Sequence, residues 1–499
     1  MVYILHERNT FVYDAEAPDA SFAVYDGTRY LRGKRSKSAE SHAESLVARS
    51  TAIKEAFQKV EADMRAKLEQ GDLHKDTRKG YEKRKTTALR IRTQKLEDVK
   101  FRRGVVTQLC GLEQVKQPGF MSRLNGEESV YLQAFTNGVI DLRVTPRQLR
   151  PGRPSDMVTE RAAYAYGPRV EAKVNRVAQL WAQWLVNKDG TPNPEFVKYV
   201  SQLIASALDG VVRLSKQAIL ALIGWFGGEG KTLFITWLEG TIGGAATTFS
   251  TSIFSQKWHP NKPNDDLANA VAGRLAFGGE LPADPLIAHQ LKLVCAGENM
   301  GIKRSYESST PVTVRCFAVC TTNADPVFTT GKGKEGLGAD SAVGRRLVVV
   351  DFNSSFRHQP KADQKKAIDD LTAELFQDDM RLANMHFLLD AYQQAAECGF
   401  QMQQPDIVQE ATQRVLNPLK PMLGNVFEIT PGENKTASRI EAARMKALVE
   451  EQYPGKQALP RGPARPTAAA LKTWSAATKM WLAPAPSGFA LALSDKMVQ

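Results

Sequence analysis

The chain has 499 residues, of which 42% are hydrophobic and 24% charged, a composition typical of a soluble globular protein with two or three domains. It has no run of eighteen apolar residues and no basic-then-apolar leader, so neither a membrane span nor a secretory signal is predicted. The five cysteines are scattered and odd in number. We therefore expect reduced thiols in a cytoplasmic or other reducing host compartment, not a secreted protein.

The formal net charge of +12 is concentrated near the amino terminus, because residues 31–103 contain 21 Lys and Arg against 11 Asp and Glu. This surplus fits a polyanion-binding surface and, equally, a solvated helical face, and charge alone does not decide between them. The same region is predicted to form charged helices over 39–100. Short strands are predicted before it at 2–5, 10–13 and 22–28.

Residues 131–143 predict a β-hairpin, because two apolar runs flank an Asn-Gly turn. Helices return over 170–213, where Trp181 and Trp184 share one apolar face and are expected to pack in a core. We therefore expect a mostly helical N-terminal domain with short strands over residues 1–213.

The stretch 224–232, Gly-Trp-Phe-Gly-Gly-Glu-Gly-Lys-Thr, has the pattern of a phosphate-binding loop. An apolar run at 218–223 predicts the buried strand before it, and 233–238 predicts the helix after it. Backbone N–H groups would face the phosphates of ATP, while Lys231 supplies a point charge and the Thr232 hydroxyl completes the shell of a Mg²⁺ ion. The predicted nucleotide-binding residues are Gly227, Gly228, Glu229, Gly230, Lys231 and Thr232.

Two later strands end in polar side chains that could serve the same site. The short apolar strand at 275–280 ends in Glu280, a carboxylate that would polarise the attacking water or hold Mg²⁺. The strand at 315–320 is followed by Asn323. Its amide could orient water or sense the γ-phosphate, or it could simply cap a turn.

Basic residues in two further segments are candidates for contacts outside this site. Lys303, Arg304 and Tyr306 are predicted to lie on a hairpin or loop suited to single-stranded DNA, although a solvated turn has the same composition. Arg345 and Arg346 stand just before a later strand. Either could act as a finger that reaches the γ-phosphate of a neighbouring subunit, or it could hold an acidic neighbour at the surface.

The last part of the chain is predicted to be mainly helical, with helices at 361–398, 437–452 and 468–474 and a strand at 489–493. These elements would make a small helical or winged-helix unit. The expected organisation is thus α/β in three parts: an N-terminal domain over 1–213, a phosphate-loop core over 214–355, and a C-terminal domain over 356–499.

Taken in order, several stretches resemble the superfamily 3 DNA helicases of the poxvirus, phage and plasmid primase-helicase type. They are Asn-Gly-Val-Ile-Asp-Leu-Arg at 137–143, the phosphate loop, Leu-Ala at 267–268 through to Glu280, Leu-Lys-Leu at 291–293, Ala-Gly-Glu at 296–298 followed by Lys303, Thr-Asn-Ala-Asp-Pro at 322–326, and Arg-Arg-Leu at 345–347 up to Phe352. The similarity covers roughly residues 20–450. The ordered set is more specific than any one stretch.

The resemblance implies an AAA+-like core with a central parallel sheet, working as a homo-hexameric ring. Such a ring hydrolyses ATP with Mg²⁺ and moves along single-stranded DNA or a replication fork. The implied roles are phosphate and Mg²⁺ binding for Lys231 and Thr232, the acid of the second nucleotide motif for Glu280, the polar sensor for Asn323, the finger for Arg345 or Arg346, and a channel hairpin for Lys303 with Arg304. The chain has no Asp-x-Asp pair that could seat primase metals, so a separate primase or polymerase is expected as a partner.

Two residues of the loop depart from the family pattern. Trp225 stands where glycine is usual, and Glu229 stands where asparagine is usual, so its carboxylate would repel a polyphosphate unless it points outward. These departures favour one alternative, a nucleotide-binding replication initiator or origin-binding protein with little helicase activity. The other alternative is a DNA-packaging ATPase. It would be expected to carry clustered nuclease carboxylates, which residues 350–499 lack.

Overall fold

The computed structural model describes residues 11–17, 21–33, 51–69, 74–211, 217–225, 227–256, 262–271, 273–295, 297, 299–303, 310–329, 341–361, 364–417, 427–431 and 480–484. The chain divides into two compact units, Met1–Tyr166 with Tyr306–Thr310, and Gly167–Ser305 with Pro311–Gln499. The expected domain boundaries at 213/214 and 355/356 therefore both fall inside the second unit.

The first unit combines short antiparallel hairpins with charged helices. Its elements are β1 (Phe11–Asp14), β2 (Ser21–Tyr25), β3 (Tyr30–Gly33), α1 (Thr51–Glu69), α2 (Lys75–Thr93), α3 (Val99–Gly111), α4 (Phe120–Arg123), β4 (Leu132–Phe135) and β5 (Gly138–Asp141). Strands β1, β2 and β3 form one antiparallel sheet, and β4 pairs with β5 in another. The hairpin predicted at 131–143 is confirmed.

The turn between β2 and β3 is built by its Asp-Gly pair. The Asp26 carboxylate accepts hydrogen bonds from the backbone N–H groups of Thr28 and Arg29, each at 3.0 Å. Gly27 adopts a φ of +103°, which a residue with a side chain would rarely take. The side chain of Asp14, at the end of β1, is buried and accepts the backbone N–H of Met121 at 2.9 Å, which ties α4 to this sheet.

The charged segment forms helices α1 and α2, which pack against each other. Met64 of α1 and Ala88 of α2 are buried, and Arg92 of α2 pairs with Glu61 of α1 at 3.2 Å. The prediction of helices over 39–100 is confirmed from Thr51 onward, and the part before Thr51 lies outside the described residues. The strand predicted at 2–5 lies outside them as well.

The later part of the chain alternates strands with helices. From residue 171 onward the elements are α5 (Glu171–Trp184), α6 (Pro194–Ala205), β6 (Ile219–Ile223), α7 (Lys231–Ile242), β7 (Ala246–Phe249), α8 (Asp265–Ala270), β8 (Leu275–Glu280), β9 (Leu286–Ile287), α9 (Ala288–Val294), β10 (Asn299–Ile302), β11 (Thr310–Thr313), β12 (Phe317–Thr322), β13 (Phe328–Thr329), α10 (Ser341–Gly344), β14 (Leu347–Asp351), β15 (Phe356–Arg357), β16 (Lys365–Lys366), α11 (Leu371–Leu375), α12 (Asp378–Glu397), α13 (Asp406–Leu416), β17 (Phe427–Pro431) and β18 (Met480–Pro484).

Five of these strands form one fully parallel sheet, in the order β14-β6-β12-β8-β7. All five residues of β6 are buried, as expected for a strand covered on both faces of a parallel sheet. The chain leaves β6 for the far edge at β7, and β14 is later added on the other side of β6. In open α/β sheets such a reversal of direction leaves a crevice outside the carboxyl ends of the strands, where ligands bind.

Aromatic side chains from α5 and α7 pack together in the core of the second unit. The ring centroids of Trp181 and Phe234 lie 4.9 Å apart, and those of Trp184 and Phe234 lie 5.3 Å apart. Trp181 also donates its indole N–H to Asn384 of α12 at 3.2 Å, which satisfies the polar atom of this buried ring. The expectation that both tryptophans are core residues is confirmed.

The C-terminal predictions are tested only in part. The predicted helix over 361–398 is present as α11 and α12, and it begins at Leu371. The helices predicted at 437–452 and 468–474 and the strand at 489–493 lie outside the described residues, so the winged-helix assignment stays a prediction. Within the described part of the chain, no helix is long and apolar enough to cross a membrane.

Three cysteines of the second unit pack in its interior. Cys295, Cys316 and Cys320 are buried. Burial raises the pKa of the Cys320 thiol to about 12 and raises the pKa of the Cys295 thiol well above its usual value. Both thiols are therefore protonated and unreactive at neutral pH.

Candidate functional site

The loop after β6 has the backbone conformation of an anion-binding nest. Gly227, Gly228 and Gly230 have φ values of +71°, +73° and +82°. A Cβ on Gly230 would lie 2.5 Å from the indole nitrogen of Trp184, so only glycine fits there. Successive residues in such conformations turn their N–H groups toward one concavity, where they can meet an anion. The loop has glycine at each of these three left-handed positions, even though Trp225 departs from the usual pattern.

Lys231 is the first residue of α7, and its ammonium group lies beneath this loop. The residue is 8% exposed. Its Nζ donates to Asn323 Oδ1 at 3.0 Å, to Glu229 Oε2 at 3.2 Å and to the backbone oxygen of Gly224 at 3.5 Å. Three oxygens therefore hold the lysine ammonium group in place.

Asn323 and Glu280 reach the same point from the carboxyl ends of β12 and β8. Asn323 Nδ2 donates to Glu280 Oε1 at 2.8 Å, and Thr251 Oγ1 donates to the backbone oxygen of Glu280 at 2.6 Å. A continuous series of hydrogen bonds thus joins Glu229, Lys231, Asn323 and Glu280. The structure brings together four residues that are separated by up to 94 positions in the sequence.

Oxygen donors for a divalent cation lie beside this series. Thr232 is exposed on the first turn of α7, and the Glu280 side chain is exposed at the end of β8. Among the described residues, no group of three or more His, Cys, Asp or Glu side chains could hold a metal ion. This donor set suits Mg²⁺, which usually takes one or two protein oxygens and completes its shell with water and substrate phosphates.

A carboxylate in this loop avoids repelling a polyphosphate only if it points outward, and Glu229 does not point outward. It is 2% exposed, and its carboxylate faces inward as the ion-pair partner of Lys231. Without a bound anion the pairing is favourable, because each charge neutralises the other in a buried place. A phosphate group that contacts Lys231 has to displace or repel this carboxylate.

Arg357 contacts the outer side of the loop, and its role there was not predicted from the sequence. Its Nη2 donates to the backbone oxygen of Gly227 at 2.8 Å, and the N–H of Phe356 donates to the backbone oxygen of Gly228 at 3.0 Å. In a trans peptide the C=O and the following N–H point in opposite directions. Strand β15 therefore holds two loop carbonyls on one side and leaves the N–H groups of Gly228 and Glu229 on the other.

Trp225 also has a partner that local sequence does not reveal. The residue is 39% exposed, and the guanidinium carbon of Arg414 on α13 lies 5.2 Å from the centroid of its ring. Arg414 makes ion pairs with Asp325, two residues after Asn323, at 3.0 Å and with Asp351, at the end of β14, at 2.7 Å. One arginine therefore joins the loop, the segment after β12 and the end of β14.

The hydrogen bonds between Arg414 and its two carboxylates shift the pKa values of Arg414 and Asp325. Burial lowers the pKa of the Arg414 guanidinium, but hydrogen bonds from it to Asp351 and Asp325 outweigh burial and hold the pKa above its usual value. Burial raises the pKa of the Asp325 carboxyl, and the hydrogen bonds from Arg414 oppose that rise. Arg414 is thus fully charged, and it is the cation that Asp351 and Asp325 share.

Arg345 and Arg346 lie at the opposite end of the sheet from the loop. They precede β14, whose first residue Leu347 is in register with Ile219 at the start of β6. The loop follows the other end of β6, about 16 Å further along the strands at 3.3 Å per residue. Arg345 is exposed there, and Arg346 is half-buried. Neither arginine contacts the loop of its own chain.

Lys303 lies at the end of a two-stranded sheet formed by β10 and β11. Its side chain is half-buried, and its backbone oxygen accepts the N–H of Asn264 at 2.9 Å. Arg304 and Tyr306, the other two residues predicted to contact DNA, lie outside the described residues. The strands on either side of the predicted hairpin are present, and the DNA contacts stay a prediction.

Comparison with known proteins gives one family match. Residues 8–190 match the family described as D5 N terminal like, a domain found in primase-helicase proteins of phages and viruses. The N-terminal region of this chain is therefore similar to that family. The expected link to primase-helicase proteins is confirmed to this extent, and assignment to superfamily 3 stays a prediction. No curated protein matches the chain.

Two solved structures are similar to part of this chain. One is the A form apo structure of the NrS-1 C terminal region, with 13% identity, 52% of this chain and 55% of that chain covered, and a TM-score of 0.33. The other is the A form apo structure of NrS-1 residues 305–718, with 11% identity, the same coverage and a TM-score of 0.32. The chain therefore spans just over half the length of these structures, and so low a likeness carries no argument.

Proposed function

We propose that this protein is an ATP-dependent DNA helicase or translocase for the replication of a virus, phage or mobile element, with an AAA+-like core of the superfamily 3 type. The observation that carries the proposal is the hydrogen-bonded series from Lys231 through Asn323 to Glu280 beside a glycine nest. These groups lie at the carboxyl edge of a parallel sheet, where nucleotides bind in open α/β folds. The family match of residues 8–190 supports the same assignment.

In this proposal each residue of the series has one task in ATP hydrolysis. The N–H groups of the nest and Lys231 bind the phosphates, and a Mg²⁺ ion held by Thr232 and Glu280 would neutralise phosphate charge. Asn323 holds the Glu280 carboxylate at 2.8 Å and keeps it aimed at the position of the attacking water. Electrostatic stabilisation of the transferred phosphoryl group supplies most of the rate acceleration in such sites.

The finger in this proposal comes from another subunit. Arg345 and Arg346 lie at the amino end of β14, roughly 16 Å away from the loop of their own chain, so neither can complete that site. A ring of identical subunits, proposed here as a hexamer, would bring one of them to a neighbour's γ-phosphate. Lys303 would then contact single-stranded DNA from the tip region of the β10–β11 pair.

The test is ATP hydrolysis by the purified full chain in Mg²⁺, with and without single-stranded DNA. We expect measurable hydrolysis that increases severalfold when DNA is added, because translocation couples the two. Displacement of a labelled strand from a forked duplex should require hydrolysable ATP. A chain that binds ATP but hydrolyses none, with or without DNA, would not support the helicase assignment.

A second candidate function is favoured by the Lys231–Glu229 ion pair. A buried carboxylate on the phosphate-binding lysine opposes polyphosphate binding, as in a replication initiator that binds nucleotide and turns it over slowly. Both functions predict the same glycine nest. They differ in the rate of hydrolysis that the wild-type chain reaches.

Replacing Glu229 with glutamine should raise the affinity for ATP by about tenfold, because it removes a negative charge next to the phosphates and leaves a side chain of the same size. The measurement is the Kd for Mg²⁺-ATP by titration calorimetry, with Glu239→Gln on the following helix, α7, as the control. If hydrolysis rises together with affinity, the carboxylate slows a working ATPase. An unchanged or weaker affinity would show that Glu229 does not oppose phosphate binding.

A further inference from the structure

Helix α2 of the first unit has an excess of positive charge that its neighbour lacks. Its 19 residues include eight Lys and Arg and only two acidic residues. Helix α1, of the same length and packed against it, has four of each sign. Half of the formal net charge of +12 therefore belongs to one helix. Helix α2 therefore carries the larger share of the positive surplus of residues 31–103.

On the face of α2 that contacts α1, part of the positive charge is paired with a residue of α1. Arg92 pairs with Glu61 of α1 at 3.2 Å, and Tyr81 lies 5.9 Å from the Lys67 ammonium of α1. Ala88 is buried between these positions. This face is therefore accounted for by the packing of two helices.

The opposite face carries a row of exposed cations that have no such use. Lys75, Lys79, Lys83 and Arg90 fall within about 80° of the helix circumference and span about 22 Å along its axis. All four are exposed. Within the described ranges, no carboxylate lies at ion-pair distance from any of them. We call these four residues the α2 cationic row.

Helix stability does not explain the row. Like charges four residues apart destabilise a helix by about 0.2–0.5 kcal/mol per pair, and the row contains two such pairs, Lys75 with Lys79 and Lys79 with Lys83. Exposed charges on α1 follow the opposite pattern, since Lys67 pairs with Asp63 at 2.9 Å, four residues away. A helix whose charged face is only solvated would be expected to pair its exposed charges as α1 does. Binding of an external anion is therefore the simpler explanation of the charge pattern of α2.

We propose that the α2 cationic row binds the sugar-phosphate backbone of duplex DNA. A row of cations along 22 Å suits a polyanion with regularly spaced charges, and releasing counterions from DNA supplies the affinity. Surfaces that read single strands interleave aromatic rings with the cations, and the one aromatic residue of α2, Tyr81, faces α1 instead. The surface goes beyond the proposed ATPase, because it lies in the other unit and needs no nucleotide.

The test compares matched double variants of the full chain in DNA binding. Lys79→Gln with Lys83→Gln removes two charges from the row, and Lys54→Gln with Lys59→Gln removes two exposed charges from α1. Glutamine keeps the helix propensity close to that of lysine. Binding of a labelled duplex and of a single strand of the same length is measured by fluorescence anisotropy without nucleotide at several salt concentrations.

We expect the α2 pair to weaken duplex binding by about tenfold at low salt and the α1 pair to leave it unchanged. Neutralising all four residues of the row should lower the slope of log Kd against log salt concentration by about three to four. A general loss of structure would change the melting temperature and the DNA-free ATPase rate, and neither should move. Equal duplex affinity and slope in all variants, or a loss confined to the single strand, would overturn the proposal.

Failure of the helicase proposal can be told apart from failure of the DNA-binding proposal for the α2 cationic row. If ATP hydrolysis is absent while duplex binding depends on the row, the α2 surface stands and the proposed function does not. If hydrolysis responds to DNA while the row variants bind duplex DNA normally, the proposed function stands and the α2 surface does not.

Discussion

Replacing Lys231 with alanine should lower the rate of ATP hydrolysis by at least about a hundredfold, the usual effect of losing one preorganised charge or donor at a phosphoryl-transfer site. Its ammonium group donates hydrogen bonds to both Glu229 and Asn323, at 3.2 and 3.0 Å. Without it, the phosphates meet the Glu229 carboxylate and lose the positive charge of this lysine. The measurement is steady-state hydrolysis of Mg²⁺-ATP together with ATP affinity.

The control for this variant is Lys188→Ala in the same unit, an exposed lysine paired with Glu410 at 3.0 Å. We expect it to retain full hydrolysis. Lys231→Ala also removes the Lys231 ion-pair partner of the buried Glu229 carboxylate, and breaking a buried ion pair can destabilise a fold by about 3–5 kcal/mol. A second variant, Lys231→Met with Glu229→Gln, removes both charges. Hydrolysis at the wild-type rate in either folded variant would contradict the proposed site.

Much of this site could be predicted because its signals are local. The apolar run of β6, the glycines at 227, 228 and 230 and the lysine at 231 follow one another in sequence, and their spacing alone predicts a strand, a nest and a helix. Parallel strands end at one edge, so polar residues just after apolar runs are expected to meet there. Glu280 and Asn323 do meet, with a hydrogen bond of 2.8 Å.

The parts that could not be predicted depend on long-range partners. Arg357 and Arg414 contact the loop from 130 and 189 positions downstream of Gly227 and Trp225, and nothing in their own neighbourhoods distinguishes them from surface arginines. The direction of the Glu229 side chain is likewise set by the position of Lys231 after folding. Binary patterns and turn chemistry describe segments, whereas these contacts depend on how the segments pack.

Replacing Arg414 with alanine should destabilise the second unit by about 3–5 kcal/mol, because it leaves buried carboxylates without a counter-charge. Asp351 is the main reason, since its side chain is 3% exposed and accepts from Arg414 at 2.7 and 2.8 Å. The same change removes the cation that lies over Trp225. The measurement is the free energy of unfolding from denaturant titration, for a transition assigned to this unit.

The matched control is Glu410→Ala, one turn earlier on α13, which breaks the exposed pair with Lys188 and should change the free energy of unfolding by less than about 1 kcal/mol. Adding Asp351→Asn to Arg414→Ala should restore part of the loss, because the buried charge is then gone. The pH dependence has a definite sign. The hydrogen bonds from Arg414 oppose the rise that burial causes in the pKa of the Asp325 carboxyl. Removing Arg414 therefore raises that pKa further above its unfolded value, so the deficit relative to wild type should shrink as the pH falls toward 4. A deficit that is independent of pH and unaffected by Asp351→Asn would mean that Arg414 stabilises the unit by packing and not by charge, and the loop, β12 and β14 would then not be joined electrostatically.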